Sequence, residues 1–322
     1  MRTDIREKAA ELGRIWRAFW TARPLITANN LEIFEHLKTP KTARQAASRI
    51  KADERATAIL LDAVAALGML SKKGDRYVNS KTAETFLVRS SPHYQGDIIR
   101  HADNLWKSWS LLDEVVRTGK PAPRQKIDLE PFIMGMHNLA MLKAGPALEA
   151  AGLKGVKSAL DLGGGPGTYT IEMKKRGVAE VTLFDRPDAL KIARKNLKKH
   201  GVTGVKFLPG DFLLDGIGQG YDFALLSNIL HSNSPDGCIA LLKKVRASLN
   251  KKGRAVIHEF YLEESKAAPL SSALFSVNML VGTPGGRCYT FSEYRSFLRQ
   301  AGFGNVRKAV LGDTIIVEGR TP

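Results

Sequence analysis

The chain has 322 residues, of which 43% are hydrophobic and 25% are charged, and its formal net charge is +17. This length is enough for two domains with cores of their own, and the apolar content favours a folded chain over a disordered one. No apolar run approaches the roughly 18 residues of a membrane span, the N-terminus has no signal-peptide core, and the two cysteines lack metal-ligand spacing, so we expect a cytoplasmic protein without a disulfide framework or a zinc site.

The first ninety residues predict a winged helix, in which two helices precede a β-hairpin. Thr42 and Gln45 suit a capping box at the start of the first helix, and Gly68 suits the end of the second. Residues 70–78 predict the hairpin, with Gly74 at its tip. The residues expected to face inward from the second helix are Ala56, Ile59, Leu60, Ala63, Val64 and Leu67.

Winged helices bind DNA through basic and polar side chains on their second helix. Here that helix offers Arg55, Thr57 and Asp62 among small apolar residues, which is a poor set for phosphate or base contacts. The positive charge is spread along the chain, and its densest stretch, residues 174–199, has the helical spacing of a solvated face with Leu190 inward. We therefore expect neither nucleic acid nor a membrane as a partner.

Two helical segments follow the winged helix. Residues 95–120 predict a helix with many apolar side chains to bury, and Gly119 with the prolines after it ends this helix. A further helix is expected from about Pro131 to Met141. Both segments precede a series of short apolar runs that are typical of a buried sheet.

The most informative motif is a glycine-rich loop after an apolar run, in Ser158-Ala-Leu-Asp-Leu-Gly-Gly-Gly-Pro-Gly-Thr168. The run predicts a strand that ends near Asp161, and Gly163 and Gly165 allow the backbone to turn sharply and to approach a ligand closely. The next apolar run ends in Asp185, where an acceptor for two ribose hydroxyls is expected. The pattern predicts a nucleotide-type cofactor site.

Two further strand ends have polar residues. After the run 205–208, Asp211 and Phe212 can accept a hydrogen bond from an adenine amine and flank its ring. The run 221–231 leads from a buried strand into a loop that contains His231. A NAD dehydrogenase would share the glycine loop and the acidic residue after the second strand, but it has no role for the acidic-aromatic pair.

These motifs, together with the late stretch Asn278-Met-Leu-Val-Gly-Thr-Pro-Gly-Gly-Arg287, resemble those of class I S-adenosylmethionine (SAM) dependent methyltransferases. The resemblance covers nearly the whole chain and is closest to the two-domain family of small-molecule O-methyltransferases, which includes caffeate-type and hydroxyindole-type enzymes. It implies an α/β fold, with a Rossmann-like doubly wound sheet after a mainly helical winged-helix dimerisation domain. The late stretch corresponds to a loop in that family.

The resemblance also implies three segments. They are a dimerisation domain over residues 1–92, a helical linker over 93–150 that lines the substrate pocket, and a SAM-binding domain over 151–322. A homodimer is expected, in which the winged helix is a scaffold. Residues 15–20 are more aromatic than a free N-terminal helix should be, so we expect them to pack in the dimer interface.

The cofactor implied by the resemblance is SAM. The glycine loop would approach its methionine part, Asp185 the ribose, and the acidic-aromatic pair the adenine, while Asp161 would support the loop or bind the amino group. Ser227 would lie at the edge of the cofactor. The expected cofactor-binding residues are therefore Asp161, Gly163, Gly165, Asp185, Asp211, Phe212 and Ser227.

His231 matches the catalytic base of the family, and Glu259 matches a glutamate that orients this base. A neutral histidine suits the removal of a proton from a hydroxyl near neutral pH. A second family glutamate is replaced by Cys288, and the acid that often follows the catalytic histidine is absent. His258 precedes Glu259 on the same predicted strand, so it should face the opposite side and have a structural role.

The expected methyl acceptor is a hydroxylated aromatic small molecule, and no metal ion is expected. Candidates for the substrate pocket are Trp106, Phe132, Met136, His137 and Asn278. Relatives in the family also methylate carbon, so a C-methyltransferase acting on a tetrapyrrole or quinone-like ring is an alternative. An alternative of another class is a DNA-binding regulator that uses the second domain to sense SAM.

Overall fold

The computed structural model describes residues 2–123 and 128–322. The chain divides into two compact units, with the division after Asp103. This point lies inside a helix, Gly96–Trp109, rather than in an exposed linker. Each unit has its own hydrophobic core.

The first unit is a winged helix preceded by three helices over its described residues. A hairpin of β2 and β3 pairs with the short β1 in the order β1-β3-β2, which confirms the predicted wing. The elements of the described part of this unit are α1 (Arg2–Trp16), α2 (Ala18–Asn30), α3 (Ile33–His36), β1 (Lys41–Thr42), α4 (Ala43–Ile50), α5 (Glu54–Ala66), β2 (Leu70–Lys73), β3 (Arg76–Asn79), α6 (Lys81–Phe86) and the start of α7 (Gly96–Trp109).

Local sequence signals explain where the helices of this unit begin and end. The Gln45 N–H donates to Thr42 Oγ1, and the Thr42 N–H donates to Gln45 Oε1, which is the predicted capping box of α4. Asp53 accepts from the Ala56 N–H at the start of α5. Gly68 follows α5 with a φ of +76°, as its predicted place at the helix end requires.

The predicted inward face of α5 is confirmed only in part, because Val64 is buried and Leu60 packs against the core, whereas Ala56 and Ile59 are exposed. Thr57, Leu61 and Val64 are the buried residues of this helix, whereas Ile59 is 56% exposed. The prediction followed the spacing of all apolar side chains, but α5 has apolar residues around most of its circumference, so spacing alone did not select one face. The packing of α5 against α2, α4 and β2 selects it instead.

The N-terminal helices of this unit leave aromatic side chains exposed. Trp16 and Trp20 are 56% and 57% exposed, and their rings meet edge to face with centroids 5.7 Å apart. Ile15 and Phe19 beside them are also at least half exposed. A cluster of large apolar side chains on the surface of one unit is typical of a surface that meets another protein.

The second unit forms a seven-stranded sheet over its described residues, in the order β6-β5-β4-β7-β8-β10-β9. Five strands pair in parallel, and β10 lies antiparallel between β8 and β9. The further elements are α8 (Leu112–Thr118), α9 (Leu129–Met141), α10 (Ala144–Ala151), β4 (Ser158–Leu162), α11 (Thr168–Lys175), β5 (Glu180–Asp185), α12 (Pro187–Lys199), β6 (Val205–Pro209), β7 (Tyr221–Ser227), a 3₁₀ helix (Leu230–Ser232), α13 (Pro235–Ser248), β8 (Leu249–Phe260), α14 (Leu270–Gly282), α15 (Phe291–Gln300), β9 (Gly304–Leu311) and β10 (Thr314–Arg320).

The parallel pairing brings the predicted strand ends to one edge of the sheet. Neighbouring strands pair in parallel up to or close to their last residues, so the carboxyl ends of β4, β5, β6, β7 and β8 are adjacent; the pairs are Leu162 with Phe184, Leu162 with Leu226, Asp185 with Pro209 and Ser227 with His258. The strands are apolar on both faces because helices cover both sides of the sheet, which is why they appear in the sequence as short continuous apolar runs. The predicted α/β doubly wound fold is confirmed.

Two helix predictions need correction. Residues 95–120 form two helices, α7 and α8, which are separated at Ser110 and Leu111. The predicted late loop over residues 278–287 is helical in its first half, because α14 extends to Gly282. The apolar residues before Gly282 belong to the helix and are partly buried. The glycines and the proline of the stretch indicated a loop and gave no sign of this packing.

On α12 the predicted inward residue Leu190 is buried together with Ala193 and Leu197, while the lysines and arginines of this helix are exposed. The basic stretch is thus a solvated helix face, as predicted. Among the described residues, no helix combines the length and the hydropathy that crossing a membrane requires.

Candidate active site

The glycine-rich loop after β4 has three glycines in the left-handed region, Gly163 (φ +66°), Gly165 (φ +51°) and Gly167 (φ +78°). A Cβ on Gly163 would collide with Ile229, and one on Gly167 would collide with Leu197, so the backbone packs tightly at both places. At Gly165 nothing lies within 4 Å of an added Cβ. The middle of the loop therefore faces open space, where a ligand can approach the backbone.

Asp185, the last residue of β5, is half-buried beside this loop. Its Oδ2 accepts from the Gly165 N–H at 2.7 Å, and its Oδ1 accepts from the Arg186 N–H at 2.7 Å. The pKa of the Asp185 carboxyl is raised, because the effect of burial exceeds that of the two backbone hydrogen bonds, which lower it. Each carboxylate oxygen has a further lone pair, so Asp185 can also accept from two hydroxyl groups of a ligand.

Asp161 lies behind the loop and is buried, with only 1% exposure. It accepts a hydrogen bond from Thr170 Oγ1 at 2.7 Å, and an added Cβ on Gly164 would lie 2.8 Å from its carboxyl group. Burial raises the pKa of Asp161 to about 6, although the hydrogen bonds from Thr170 lower it. These contacts join the end of β4 to α11, which favours the loop-supporting role of Asp161.

The predicted adenine pair follows β6 at the same edge of the sheet. Asp211 Oδ1 accepts from the Leu213 N–H at 2.8 Å, and the Asp211 N–H donates to Asp215. The ring of Phe212 reaches to 3.6 Å from the Cβ position of Gly163. The structure therefore brings this pair next to the glycine loop.

His231 and Glu259 are brought together from two neighbouring strands. His231 lies on the 3₁₀ helix after β7, with its Nδ1 2.8 Å from Glu259 Oε2, and its backbone N–H donates to Glu259 Oε1 at 3.2 Å. Glu259 is fully buried, and His231 is 9% exposed. Since a carboxylate only accepts, it favours the tautomer with the proton on Nδ1, which leaves a lone pair on Nε2.

Two phenylalanines that the sequence analysis did not single out flank this histidine. The ring of Phe275 lies 4.9 Å from the imidazole at an angle of 79°, and that of Phe260 lies 6.0 Å away at 63°. The two phenyl rings stack with centroids 3.9 Å apart. Phe260 ends β8 and Phe275 lies on α14, so a helical assignment of residues 270–282 would have been needed to find the pair.

The loop 283–290 packs against the 3₁₀ helix. An added Cβ on Gly286 would collide with the backbone carbonyl oxygen of His231. Cys288, which replaces the second family glutamate, is buried, and its N–H donates to Ser276 Oγ at 3.2 Å. Burial raises the pKa of the Cys288 thiol to about 11, so at neutral pH it provides no negative charge.

Ser227 at the end of β7 is joined to a buried pair that the sequence did not predict. Its Oγ is 3.2 Å from His258 Nδ1, and the Tyr169 hydroxyl is 2.7 Å from the same nitrogen. His258 contacts α11, whereas Glu259 contacts the 3₁₀ helix, so the two neighbours face opposite sides as expected from strand alternation. Tyr169 gave no sequence signal, because its partner lies 89 positions away.

The predicted pocket residues lie in different environments. Asn278 on α14 accepts a hydrogen bond from Trp109 Nε1 at 2.9 Å. Phe132 and Met136 are half-buried on α9, and Trp106 on α7 is 37% exposed.

His137, also on α9, is buried, and its Nδ1 lies 2.8 Å from Thr168 Oγ1 at the start of α11. This contact directs the imidazole to the glycine loop, a placement that the sequence did not suggest. In the described parts of the chain, no group of three or more histidine, cysteine or acidic residues could hold a metal ion.

Comparisons with known proteins agree with this geometry. A family model described as the O-methyltransferase domain matches residues 123–304, and one described as the O-methyltransferase dimerisation domain matches residues 14–89. The chain is 32% identical over 302 residues to 3-hydroxy-5-methyl-1-naphthoate 3-O-methyltransferase of Streptomyces sahachiroi, covering 89% of this chain and 87% of that protein. It is 30% identical to the tetracenomycin polyketide synthesis 8-O-methyltransferase of Streptomyces glaucescens, covering 95% and 94%.

Solved structures show the same fold. Human N-acetylserotonin methyltransferase in complex with SAM superposes with a TM-score of 0.89 at 24% identity, covering 98% of this chain and 97% of that chain. An O-methyltransferase family protein from Burkholderia thailandensis gives a TM-score of 0.87 at 25% identity, covering 97% and 98%.

Proposed function

This chain belongs to the O-methyltransferase family, and from that premise we propose that it methylates a hydroxyl group of an aromatic small molecule. It is a SAM-dependent methyltransferase. The named relatives methylate a naphthoate and a tetracenomycin-type polyketide, which favours an aromatic acceptor here. The observation that carries the proposal is the pairing of His231 with Glu259 at the edge of the sheet that also holds the glycine loop.

The loop and its neighbours fit SAM. The open space at Gly165 leaves room for the ligand against the backbone, and Asp185 retains acceptor capacity for two ribose hydroxyls. Phe212 offers a ring and Asp211 a carboxylate for the adenine, next to the same loop. SAM supplies an activated methyl group, so the protein has to align the donor and the acceptor and to remove one proton.

We assign proton removal to His231. Glu259 holds the imidazole at Nδ1, so Nε2 is free to accept the proton of the acceptor hydroxyl. The carboxylate then faces an imidazolium, which it stabilises in place. Because Glu259 also accepts the backbone N–H of His231, both the ring and the backbone of the base are held by one side chain.

The phenylalanine pair supports the assignment of an aromatic acceptor. Phe260 and Phe275 stack on each other and meet His231 edge to face, so an apolar aromatic wall lies beside the base. Planar rings pack well against such walls in offset or edge-to-face geometry. This wall also shields the base from water.

We further propose that the enzyme is a cytoplasmic homodimer. The dimerisation-domain match and the exposed aromatic side chains of α1 and α2 support the dimer. Both cysteines are unpaired and buried, which agrees with a reducing compartment.

The proposal is tested by incubating the protein with methyl-labelled SAM and a panel of mono- and polycyclic phenols, each paired with its O-blocked analogue. We expect label on the phenols and none on the analogues, with the methyl group on oxygen by mass spectrometry. Methyl transfer to ring carbon would establish the C-methyltransferase alternative instead. Absence of SAM binding by calorimetry would contradict the function as a whole.

The role of the base is tested with His231→Gln, using His93→Gln on the surface of the first unit as the matched control. Turnover should fall by about 10²–10⁴, as is typical when a general base is lost, while the affinity for SAM stays near that of the wild type. Undiminished turnover would assign the base to another residue.

A further inference from the structure

Two buried histidines hold the first two residues of α11, the helix that the glycine loop opens. His137 from α9 contacts Thr168, and His258 from β8 contacts Tyr169. The four side chains are at most 6% exposed, so water does not compete for these contacts. The resemblance suggested His137 only as a substrate-pocket residue, and it predicted neither of these two contacts.

The contacts of His137 extend to the loop itself. Asn196 on α12 places its Nδ2 3.3 Å from His137 Nδ1 and donates from the same nitrogen to the carbonyl oxygen of Pro166 at 2.8 Å. An amide nitrogen only donates, so His137 Nδ1 is an acceptor, and the Thr168 hydroxyl also donates to it. The loop residue Pro166 and the helix residue Thr168 are thereby joined to α9 and α12.

The contacts of His258 join the start of α11 to the end of β7. Its Nδ1 lies 2.7 Å from the Tyr169 hydroxyl and 3.2 Å from Ser227 Oγ, the hydroxyl expected at the edge of the cofactor. Within the described residues, its Nε2 is buried without a hydrogen-bond partner. One imidazole therefore joins the start of α11 to the end of β7.

Both imidazoles are suited to this position because they stay neutral. Burial lowers the pKa of His137 to about 4, helped by His200 and Lys199, and burial lowers the pKa of His258 to about 4, against the neighbouring Glu259. A cation at the positive end of a helix dipole would be unfavourable. A neutral imidazole provides a hydrogen bond there without a charge.

We propose that His137 and His258 are positioning residues for SAM, which fix the glycine loop by holding the adjacent residues Thr168 and Tyr169 in the first turn of α11. The proposal rests on the proposed function, since it concerns the affinity for that cofactor. The open backbone at Gly165 lies only three positions before Thr168, so a shift of the first turn moves the surface that SAM contacts. The histidines act on binding and take no part in the chemical step.

The test uses variants that remove one polar contact and keep the shape. Thr168→Val and Tyr169→Phe should each raise the KM for SAM by roughly five- to tenfold, the equivalent of one lost hydrogen bond, with kcat within twofold of the wild type. The Kd for S-adenosylhomocysteine, measured by calorimetry without any acceptor, should rise by the same factor. Thr168→Ser restores a hydroxyl and should restore both values.

The histidines themselves are compared as pairs of variants. Asparagine can place its side-chain oxygen near the position of Nδ1, so His137→Asn and His258→Asn should bind S-adenosylhomocysteine more tightly than His137→Leu and His258→Leu. If the leucine variants do not fold, Thr168→Val and Tyr169→Phe decide the question alone, because both are nearly isosteric.

Tyr221→Phe is the matched control. It removes a buried tyrosine hydroxyl that donates to the Ile217 carbonyl, away from the cofactor edge of the sheet, and should leave the Kd unchanged. An equal loss of affinity in this control, or Kd values within twofold of the wild type in both Thr168→Val and Tyr169→Phe, would overturn the proposal. If the wild type itself does not bind S-adenosylhomocysteine, the proposed function fails first, which is a distinct result.

Discussion

Three carboxyl groups at one edge of the sheet have different environments and therefore different uses. Asp161 is buried against Thr170, Glu259 is buried against His231, and Asp185 is the half-buried one whose oxygens accept from two backbone N–H groups. Of these three, only Asp185 combines a fixed orientation with access to a ligand. These environments support the proposed roles of Asp161 in holding the loop, of Glu259 in orienting His231 and of Asp185 in binding the cofactor.

Replacing Asp185 tests the cofactor site. We expect Asp185→Ala to abolish measurable SAM binding in calorimetry, because it removes the acceptor for the ribose hydroxyls and releases the Gly165 N–H from its partner. Asp188→Ala, an exposed acidic residue in the first turn of α12, is the control and should bind normally. Unchanged affinity in Asp185→Ala would refute the ribose role.

His258 predicts a pH dependence of stability. Its pKa is lowered to about 4 from an ordinary value of 6.5, so the unfolded chain binds a proton between these values and the folded chain does not. This contribution to the free energy of unfolding is fully present above pH 6.5 and is lost as the pH falls towards 4. Urea unfolding at pH 7 and at pH 4.5 should therefore show a larger loss for the wild type than for His258→Asn.

Other groups titrate in the same window, which is why the difference between the two proteins is measured. Asp161, whose pKa is raised to about 6, works in the opposite direction, because its contribution is present at low pH and is lost as the pH rises through 6. It is the same in both proteins. Equal losses for the wild type and His258→Asn would show that His258 is not kept neutral by the fold.

At the scale of elements, the position of His231 depends on the loop 283–290. Gly286 lies so close to the carbonyl oxygen of His231 that no side chain fits between them, and Tyr289 donates to the carbonyl oxygen of Asn233 at 2.5 Å. The loop 283–290 therefore contacts the backbone of the 3₁₀ helix and of the residue after it, while Glu259 on β8 contacts the imidazole. His231, the proposed base, is therefore held by two elements that are separate in sequence.

Gly286→Ala should lower kcat by about tenfold or more while the affinity for SAM stays near normal. The added methyl group would collide with backbone rather than with a flexible side chain, so the 3₁₀ helix must move, and misplacement of a reacting group by about 1 Å is costly. Gly282→Ala, with nothing within 4 Å of its added methyl, is the control. Normal turnover in Gly286→Ala would show that the loop does not position the base.

For the whole molecule, the packing of a single chain does not explain why α1 and α2 have so many exposed apolar side chains. Trp16 and Trp20 together with Ile5, Leu12, Ile15 and Phe19 remain at least half exposed in the first unit. Large aromatic side chains provide much of the binding free energy of protein interfaces. We therefore propose that a second copy of the chain covers this surface.

Introducing charge at this surface should dissociate the dimer. We expect the double substitution Trp16→Glu and Trp20→Glu to sediment as a monomer at concentrations where the wild type is a dimer, because a buried unpaired carboxylate opposes association. Leu214→Glu changes an apolar residue that is 83% exposed in the second unit and should leave the dimer intact. A dimer that persists in the double variant would exclude α1 and α2 as its main interface.

Signals within a few residues of each other allowed much of this molecule to be predicted from its sequence. The capping box of α4, the wing hairpin and the four strand ends depend on local backbone preferences, and parallel pairing then places the strand ends at one edge. The resemblance supplied the pairing of His231 with Glu259. Local spacing was insufficient for α5, because apolar residues surround most of that helix.

The amino-acid sequence by itself determined the order of the elements, the glycine loop and the side chains at the strand ends, because these follow from local conformation and short-range spacing. Only the tertiary structure decided that Phe275 packs on Phe260 beside His231, and that His137 and His258 contact the first turn of α11. These contacts join residues far apart in the chain. Which of them meet depends on how the helices pack on the sheet, since packing selects among many apolar and polar side chains that the sequence leaves equivalent.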